Sequence, residues 1–223
     1  MKKYSSDEKI SILDIGCGNG RFLDTLKTSG FPYSYLGIDE SSGMINEARK
    51  LHPQQDFKVL DMNHLGKLLD SGISQKRSDS SANRDPEGTV RSQYGEGGSG
   101  DLSSKDKFFR DSYQFIIFIA SFHHLHTKEE RKEVLLQAKR LLVPDGVIMM
   151  TNWNLIGEKL FKKYEKSYRG NGDFGIKIGI HERYYHGFSV MELDELFQES
   201  GYEILENRIF EGEKNIVSLI KSK

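Results

Sequence analysis

Cysteine and tryptophan occur once each and proline four times among the 223 residues of this sequence. The lone Cys17 excludes an internal disulfide framework and fits a reducing compartment. An excess of either charge is also missing. The 32 Lys and Arg residues are balanced by 33 Asp and Glu, for a net charge of −1. That balance argues against a chain that coats nucleic acid through bulk charge, although a local basic face stays open. No apolar run approaches the roughly 20 residues that a membrane helix needs. The first residues pass into a strand-like run without an apolar signal core, so neither membrane nor export is expected and a cytoplasmic location is. What is present, 36% hydrophobic and 29% charged residues, suffices for one good-sized core.

Short β-rich runs alternate with helical ones. That is the pattern of an α/β, doubly wound fold: a mostly parallel seven-stranded sheet, helices on both faces and a C-terminal antiparallel hairpin. Strands are expected at 10–15, 33–38, 57–60, 115–120, 147–151, 202–210 and 215–220, and helices at 20–29, 41–51, 127–142 and 189–200, with an amphipathic helix at 156–168 as one of two readings of that stretch. Ser41 is a suitable N-cap. Thr127 and Glu130 have capping-box spacing, and Val134, Leu135, Ala138, Leu141 and Leu142 follow on one stripe. From 71 to 105 the composition changes: Ser and Gly supply 15 of 35 residues and only five are hydrophobic. Such a stretch buries too little apolar surface to offset its ordering entropy, so it reads as a flexible insertion in a single domain spanning 1–223. The alternative is an RNA- or partner-binding loop built on Lys76, Arg77, Arg84 and Arg91, whose charge the neighbouring acids cancel.

The sharpest motif is Asp14-Ile15-Gly16-Cys17-Gly18-Asn19-Gly20, at the end of the first strand. Its glycines permit a tight turn and close approach to a ligand, and the next helix presents free N–H groups to it. The dinucleotide pattern fails, because its third glycine position holds Arg21. Asp14 would repel a pyrophosphate and suits a ligand carrying a cation. Asp39 ends the second strand, where a carboxylate can accept both hydroxyls of a ribose. Asp61 follows the third strand, where it can accept from an exocyclic adenine amine. Adenine, ribose and a cationic amino acid end together describe S-adenosylmethionine. Other readings stay open: Asp14 as an acceptor for backbone N–H groups, Asp61 as a helix cap, Cys17 as a small packing residue.

With these residues the chain resembles the class I S-adenosylmethionine-dependent methyltransferases, a Rossmann-like family, over nearly all of its length outside the insertion. The resemblance implies Asp14 near the methionine amino end and Gly16, Cys17, Gly18, Asn19 and Gly20 as the backbone cradle. It implies Asp39, with Glu40 beside it, at the ribose, Asp61 and Met62 around the adenine, and Ala120 and Ser121 along the methionine chain.

Two polar clusters are candidates to face the acceptor. Ser121-Phe122-His123-His124-Leu125-His126 follows the fourth strand; adjacent residues point apart and no acid or Cys completes a metal set, so no metal is expected. His123 or His124 could hold the substrate or pack structurally. Within a segment expected to face the substrate, 154–188, stands His181-Glu182-Arg183-Tyr184-Tyr185-His186. Residues 158–187 carry seven Lys or Arg against four acids. Basic residues interleaved with aromatics suit a phosphate-bearing ligand with stackable bases, or else a solvated amphipathic helix and a connector. The His-His pair followed by Glu129-Glu130-Arg131-Lys132, Trp153 and Arg183-Tyr184-Tyr185-His186 is similar to the tRNA wobble-uridine methyltransferases, which esterify a carboxymethyl group. That resemblance implies Arg183 on the carboxylate or a phosphate, Tyr184, Tyr185 and His186 shaping the uridine pocket, and His123 or His124 near the reacting group. It implies tRNA as a partner and, as in some relatives, a small zinc-binding activator protein. The N-terminal helix of many methyltransferases is absent from the pattern. A small-molecule methyltransferase and a non-catalytic cofactor-fold module remain the alternatives.

Overall fold

In a computed structural model, residues 9–69 and 112–223 are described; the insertion expected at 71–105 lies outside them. In chain order the elements are β1 (Ile10–Ile15), α1 (Phe22–Ser29), β2 (Tyr33–Asp39), α2 (Ser42–Leu51), β3 (Asp56–Val59) and β4 (Tyr113–Ile119). There follow α3 (Lys128–Leu141), β5 (Leu142–Trp153), α4 (Glu158–Tyr164), β6 (Tyr168–Gly170), β7 (Asp173–Ile178) and β8 (His181–His186). The chain closes with α5 (Val190–Glu199), β9 (Tyr202–Ile209) and β10 (Asn215–Ser222).

Seven strands form one sheet in the order β3-β2-β1-β4-β5-β10-β9. The first five in that list pair in parallel, and β10 pairs antiparallel with both β5 and β9. The order reverses between β1 and β4, and ligands of open α/β sheets bind at the carboxyl ends of such a switch. Strand β4 is central, and its Ile116, Ile117 and Phe118 are buried, as an unbroken apolar run requires. Helix starts follow their local signals. Ser41 Oγ accepts from Met44 N at 3.3 Å, and Thr127 and Glu130 form a complete capping box. One core cluster gathers Ile12, Cys17, Leu23, Tyr35, Ile45, Ala48, Phe57 and Ile117, so the residues flanking the glycine turn are anchored from several elements at once.

Two departures from the sequence pattern concern the second half. Strand β5 begins at Leu142, five residues before the expected start, because a register shift between Tyr113 and Phe115 takes up the Pro144 turn, with Asp145 at φ 69°. More consequential is the stretch after 156. The amphipathic helix that one reading carries to 168 ends at Tyr164, and in place of that reading's connector stands a separate antiparallel sheet, β6-β7-β8. Its two long strands meet across a two-residue loop, Gly179-Ile180, with Gly179 at φ 62°. Leu155, Phe174, Ile176 and Tyr185 form its own buried cluster, against which Trp153, Leu160, Phe161 and Tyr164 pack. Packing across the hairpin overrides the weak local helix signal.

Candidate functional site

The carboxyl ends of β1, β2 and β4 shape the site. Gly16 N and Cys17 N both donate to Ile38 O, at 2.8 and 3.0 Å, which folds the glycine turn back onto β2. Gly16 sits at φ 74°, and a Cβ there would lie 2.4 Å from Ser121 Cβ. Only glycine satisfies both demands. Ser121 is locked in turn, its Oγ donating to Ile15 O at 2.6 Å. Ala120, before it, holds a left-handed φ of 53° while its N–H reaches Thr151 O and Oγ1. A non-glycine residue in that conformation stores strain, here at the mouth of the site.

Asp14 is 1% exposed. Its Oδ2 accepts from Tyr35 OH at 2.7 Å, whereas Oδ1 is buried without a hydrogen-bond partner among the described residues. Burial pushes its carboxyl up to about 7, against the Tyr35 hydrogen bond that lowers it. A carboxylate oxygen left bare in a cleft wall is costly unless a donor arrives there. Asp39 braces the turn: Oδ2 accepts from Gly18 N and Oδ1 from Ser41 N, both at 2.9 Å, and each oxygen keeps one lone pair for a ligand. Asp61 caps the short turn Met62–His64 through Asn63 N at 2.8 Å, so the capping role left open for it is present alongside its place in the cleft. Cys17 is packed against Gly37, and burial pushes its thiol well up, which leaves no reactive thiolate. Asn19 Nδ2 donates to Glu47 at 3.2 Å.

These residues line one open cleft of about 1020 Å³. Of the cofactor candidates it brings together Asp14, Gly16, Cys17, Gly18, Asn19, Asp39, Glu40, Asp61, Met62, Ala120 and Ser121. Gly20 stands outside the lining; at φ 81° its missing Cβ would be 2.9 Å from His52, so its place is in the packing beneath. Of the acceptor candidates His124, Arg183 and Tyr184 line the same cleft, and His123, Tyr185 and His186 do not.

The two histidines of the pair diverge. His123 is fully buried, its Nδ1 accepting from Trp153 N at 3.2 Å while Nε2 has no partner among the described residues. Burial lowers its pKa well below the usual value, so it is a neutral core ring. His124 Nδ1 lies 2.9 Å from Tyr184 O; a carbonyl only accepts, so the proton sits on Nδ1 and Nε2 carries a lone pair. Burial lowers its pKa too. Tyr185 stacks on Trp153 at 5.1 Å and 13°, behind the wall. His126 stacks on Tyr184 at 4.0 Å. Among the described residues no group of three or more His, Cys, Asp or Glu could hold a metal.

Arg183 is exposed on the cleft lip and has no ion-pair partner among the described residues. Arg169, also in the lining, is paired with Glu182. Sequence reasoning missed Arg131, Asp173 and Glu192, which join Tyr184 and His186 in a polar cluster behind the lip, built around the buried Arg131 and His186. Arg131 gave a readable signal: it falls on the apolar stripe of α3, three residues before Val134 and seven before Ala138. A charge there needs a buried partner.

A family model described as a methyltransferase domain matches residues 2–207. A protein of Invertebrate iridescent virus 6 named as a methyltransferase is 40% identical over 52 residues, which is 23% of this chain and 20% of that protein. The match thus spans about a fifth of that relative. One of Encephalitozoon cuniculi, also named as a methyltransferase, is 24% identical over 211 residues, covering 93% of this chain and 76% of the relative. Among solved structures, an S-adenosylmethionine-dependent methyltransferase of Methanosarcina mazei is 20% identical with a TM-score of 0.61, over 96% of this chain and 92% of its own. The S-adenosylmethionine-bound aminopentose methyltransferase CalS10 of Micromonospora echinaspora is 16% identical with a TM-score of 0.57, over 97% and 84%. A methyltransferase of Haloferax volcanii in complex with the Trm112 activator is 14% identical with a TM-score of 0.59, over 96% and 83%. These likenesses describe the same α/β fold. Among the described residues no helix is long and apolar enough to cross a membrane.

Proposed function

The chain belongs to the methyltransferase-domain family, an S-adenosylmethionine-dependent class, and on that premise we propose that it methylates a carboxylate presented on tRNA. The observation that carries the cofactor half is the bare, buried Oδ1 of Asp14 beside the glycine turn. It asks for a cationic donor, and the α-ammonium of S-adenosylmethionine is one. Asp39, with a lone pair free on each oxygen, would hold the ribose, and Glu40 flanks it. Asp61 and Met62 would frame the adenine. When bound, the cofactor supplies a methyl group on an already activated sulfonium. The protein's task is then to orient the acceptor and keep water away.

Arg183 supports an anionic acceptor, since its guanidinium stands on the lip and pairs with no carboxylate among the described residues. A carboxylate, with a pKa near 4, is ionised at neutral pH and needs no general base. His124 would orient it, or take the proton of an acceptor that carries one, through its unprotonated Nε2. The basic stretch from 158 to 187 supports a polyanionic carrier such as tRNA. An activator protein, of which the Haloferax volcanii complex is an instance in this fold, is proposed as a partner, and the single free Cys17 suits the cytoplasm.

The test is incubation with labelled S-adenosylmethionine and total tRNA, followed by nucleoside analysis before and after mild alkali. An alkali-labile methyl group on a wobble uridine is the expected product. Label that enters only low-molecular-weight acids or amines would instead assign the enzyme to small molecules. Failure to bind the cofactor in calorimetry would move it to a non-catalytic binding module.

A further inference from the structure

We propose that Arg131, Asp173 and His186 form a positioning cluster that sets the tautomer of His124, and so decides which ring nitrogen an acceptor meets. The decisive contact is His124 Nδ1 to Tyr184 O at 2.9 Å, made between the turn after β4 and strand β8. Nothing local fixes that distance, because the two residues are 60 positions apart. Arg131 binds both sides of it. Its guanidinium donates to Leu125 O at 3.0 Å and His126 O at 3.2 Å, on the segment just after His124, and to Tyr184 OH at 3.1 Å on β8. It is 5% exposed, and it lies over the Phe188 ring.

Asp173, on the neighbouring strand β7, completes the hold. Its Oδ1 accepts from Tyr184 OH at 2.6 Å and from His186 Nδ1 at 2.9 Å, so alternate side chains of β8 are pinned to one carboxylate. Burial opposes ionisation of Asp173, but these hydrogen bonds and the Arg131 charge outweigh it and hold the carboxyl below its usual range. His186 reaches Glu192 on α5 through Nε2 at 2.7 Å. Both ring nitrogens therefore face carboxylates. Asp173 and Glu192, their side chains 38% and 40% exposed, close over the buried Arg131 and His186. The opposite face of β8 carries Tyr185, in ring contact with His124 at 4.5 Å. Pinning one face of the strand fixes what the other face and the main chain offer to His124.

Arg131, Asp173 and His186 are not themselves in the cleft lining and reach it through hydrogen bonds to Leu125, His126 and Tyr184, so they position and do not react. The inference about the ring stands on geometry alone; only its activity arm rests on the methyl-transfer reading. The experiment records histidine-ring 15N signals of the full-length protein at about pH 8, without cofactor or acceptor, where His124 is neutral. The signal lost in His124→Gln identifies the ring. The wild type should show the proton on Nδ1. In Asp173→Asn and in Tyr184→Phe, which leave the ring and its carbonyl partner in place, the two nitrogen signals should converge as both tautomers are sampled. Asp173→Glu should restore part of the difference. Turnover should fall on the order of 10²-fold in Asp173→Asn, with cofactor affinity changed by less than about twofold. A His124 ring that stays purely Nδ1-protonated in folded Asp173→Asn or Tyr184→Phe would overturn the proposal. If Asp173→Asn does not fold, Tyr184→Phe decides alone. Wild-type protein inactive on every acceptor would sink the methyl-transfer reading and leave the tautomer result standing.

Discussion

Along the glycine-rich wall, from β1 to β3, the backbone itself supplies the cleft's shape, whereas the lip on β7 and β8 is held in place by side chains. On the first wall, Gly16 N and Cys17 N fold onto Ile38 O, and Gly18 N onto Asp39, all within about two dozen residues of sequence. On the lip, Arg131, Asp173, Tyr184, His186 and Glu192 arrive from four separate elements to make one polar cluster. Short-range geometry tolerates little change in residue size. A long-range polar cluster tolerates size better and charge worse, because each buried polar group left over keeps its desolvation cost. The two walls should fail differently.

Phe174→Ala strikes the lip hardest. The side chain is fully buried between Phe161, Tyr168 and Tyr185's cluster, and its loss should cost about 3–5 kcal/mol of stability, read by chemical denaturation. Retention of wild-type stability would mean that the small sheet does not share the main unfolding transition.

Gly16→Ala strikes the other wall. The new Cβ would meet Ser121 and the left-handed φ would be strained, together about 2–4 kcal/mol, with loss of measurable cofactor binding in calorimetry. Unchanged affinity would remove the close approach of β1 and β4 as a requirement of the site.

Asp39→Ala should weaken cofactor binding by roughly 1–3 kcal/mol, since two backbone N–H groups, and the ribose hydroxyls proposed to join them, lose their acceptor. Arg183→Ala, on the lip, should instead raise the acceptor KM and leave cofactor affinity near wild type. Equal losses in both measurements would make Arg183 structural.

The smallest effect is a pH dependence. Asp14 binds its proton more tightly folded than unfolded, since its carboxyl is raised to about 7. Its contribution to the stability of the free protein is therefore full below the ordinary carboxylate value and lost as pH rises through about 7. A cationic ligand needs the ionised form, so cofactor affinity should increase up to about tenfold per pH unit below 7 and level off above it. Asp14→Asn should flatten that profile. A flat wild-type profile between pH 6 and 8 would contradict a cation at Oδ1.

The same contrast separates what was legible in the sequence from what was not. Gly16, Gly18, Asp14 and Asp39 announce themselves by residue type and spacing, because the turn they build is local and its left-handed angles favour glycine. The doubly wound sheet follows from the alternating patterns, whereas its strand order, with β10 between β5 and β9, is read only from the structure. The small sheet escaped notice although Gly179-Ile180 separates two six-residue runs, because its apolar positions, Phe174, Ile176 and Tyr185, look sparse until Leu155 and Trp153 cover them.

His123 and His124 show the limit most sharply, being neighbours of one residue type with opposite fates. One is sealed in the core against Trp153, and the other opens on the cleft with its proton fixed by Tyr184. The amino-acid order by itself determined the glycine turn, its acids and the sheet, since those depend on local backbone freedom and periodic burial. Which histidine faces the cleft, and which nitrogen it offers, only the tertiary structure decided. Those depend on a carbonyl and a guanidinium brought in from distant parts of the chain.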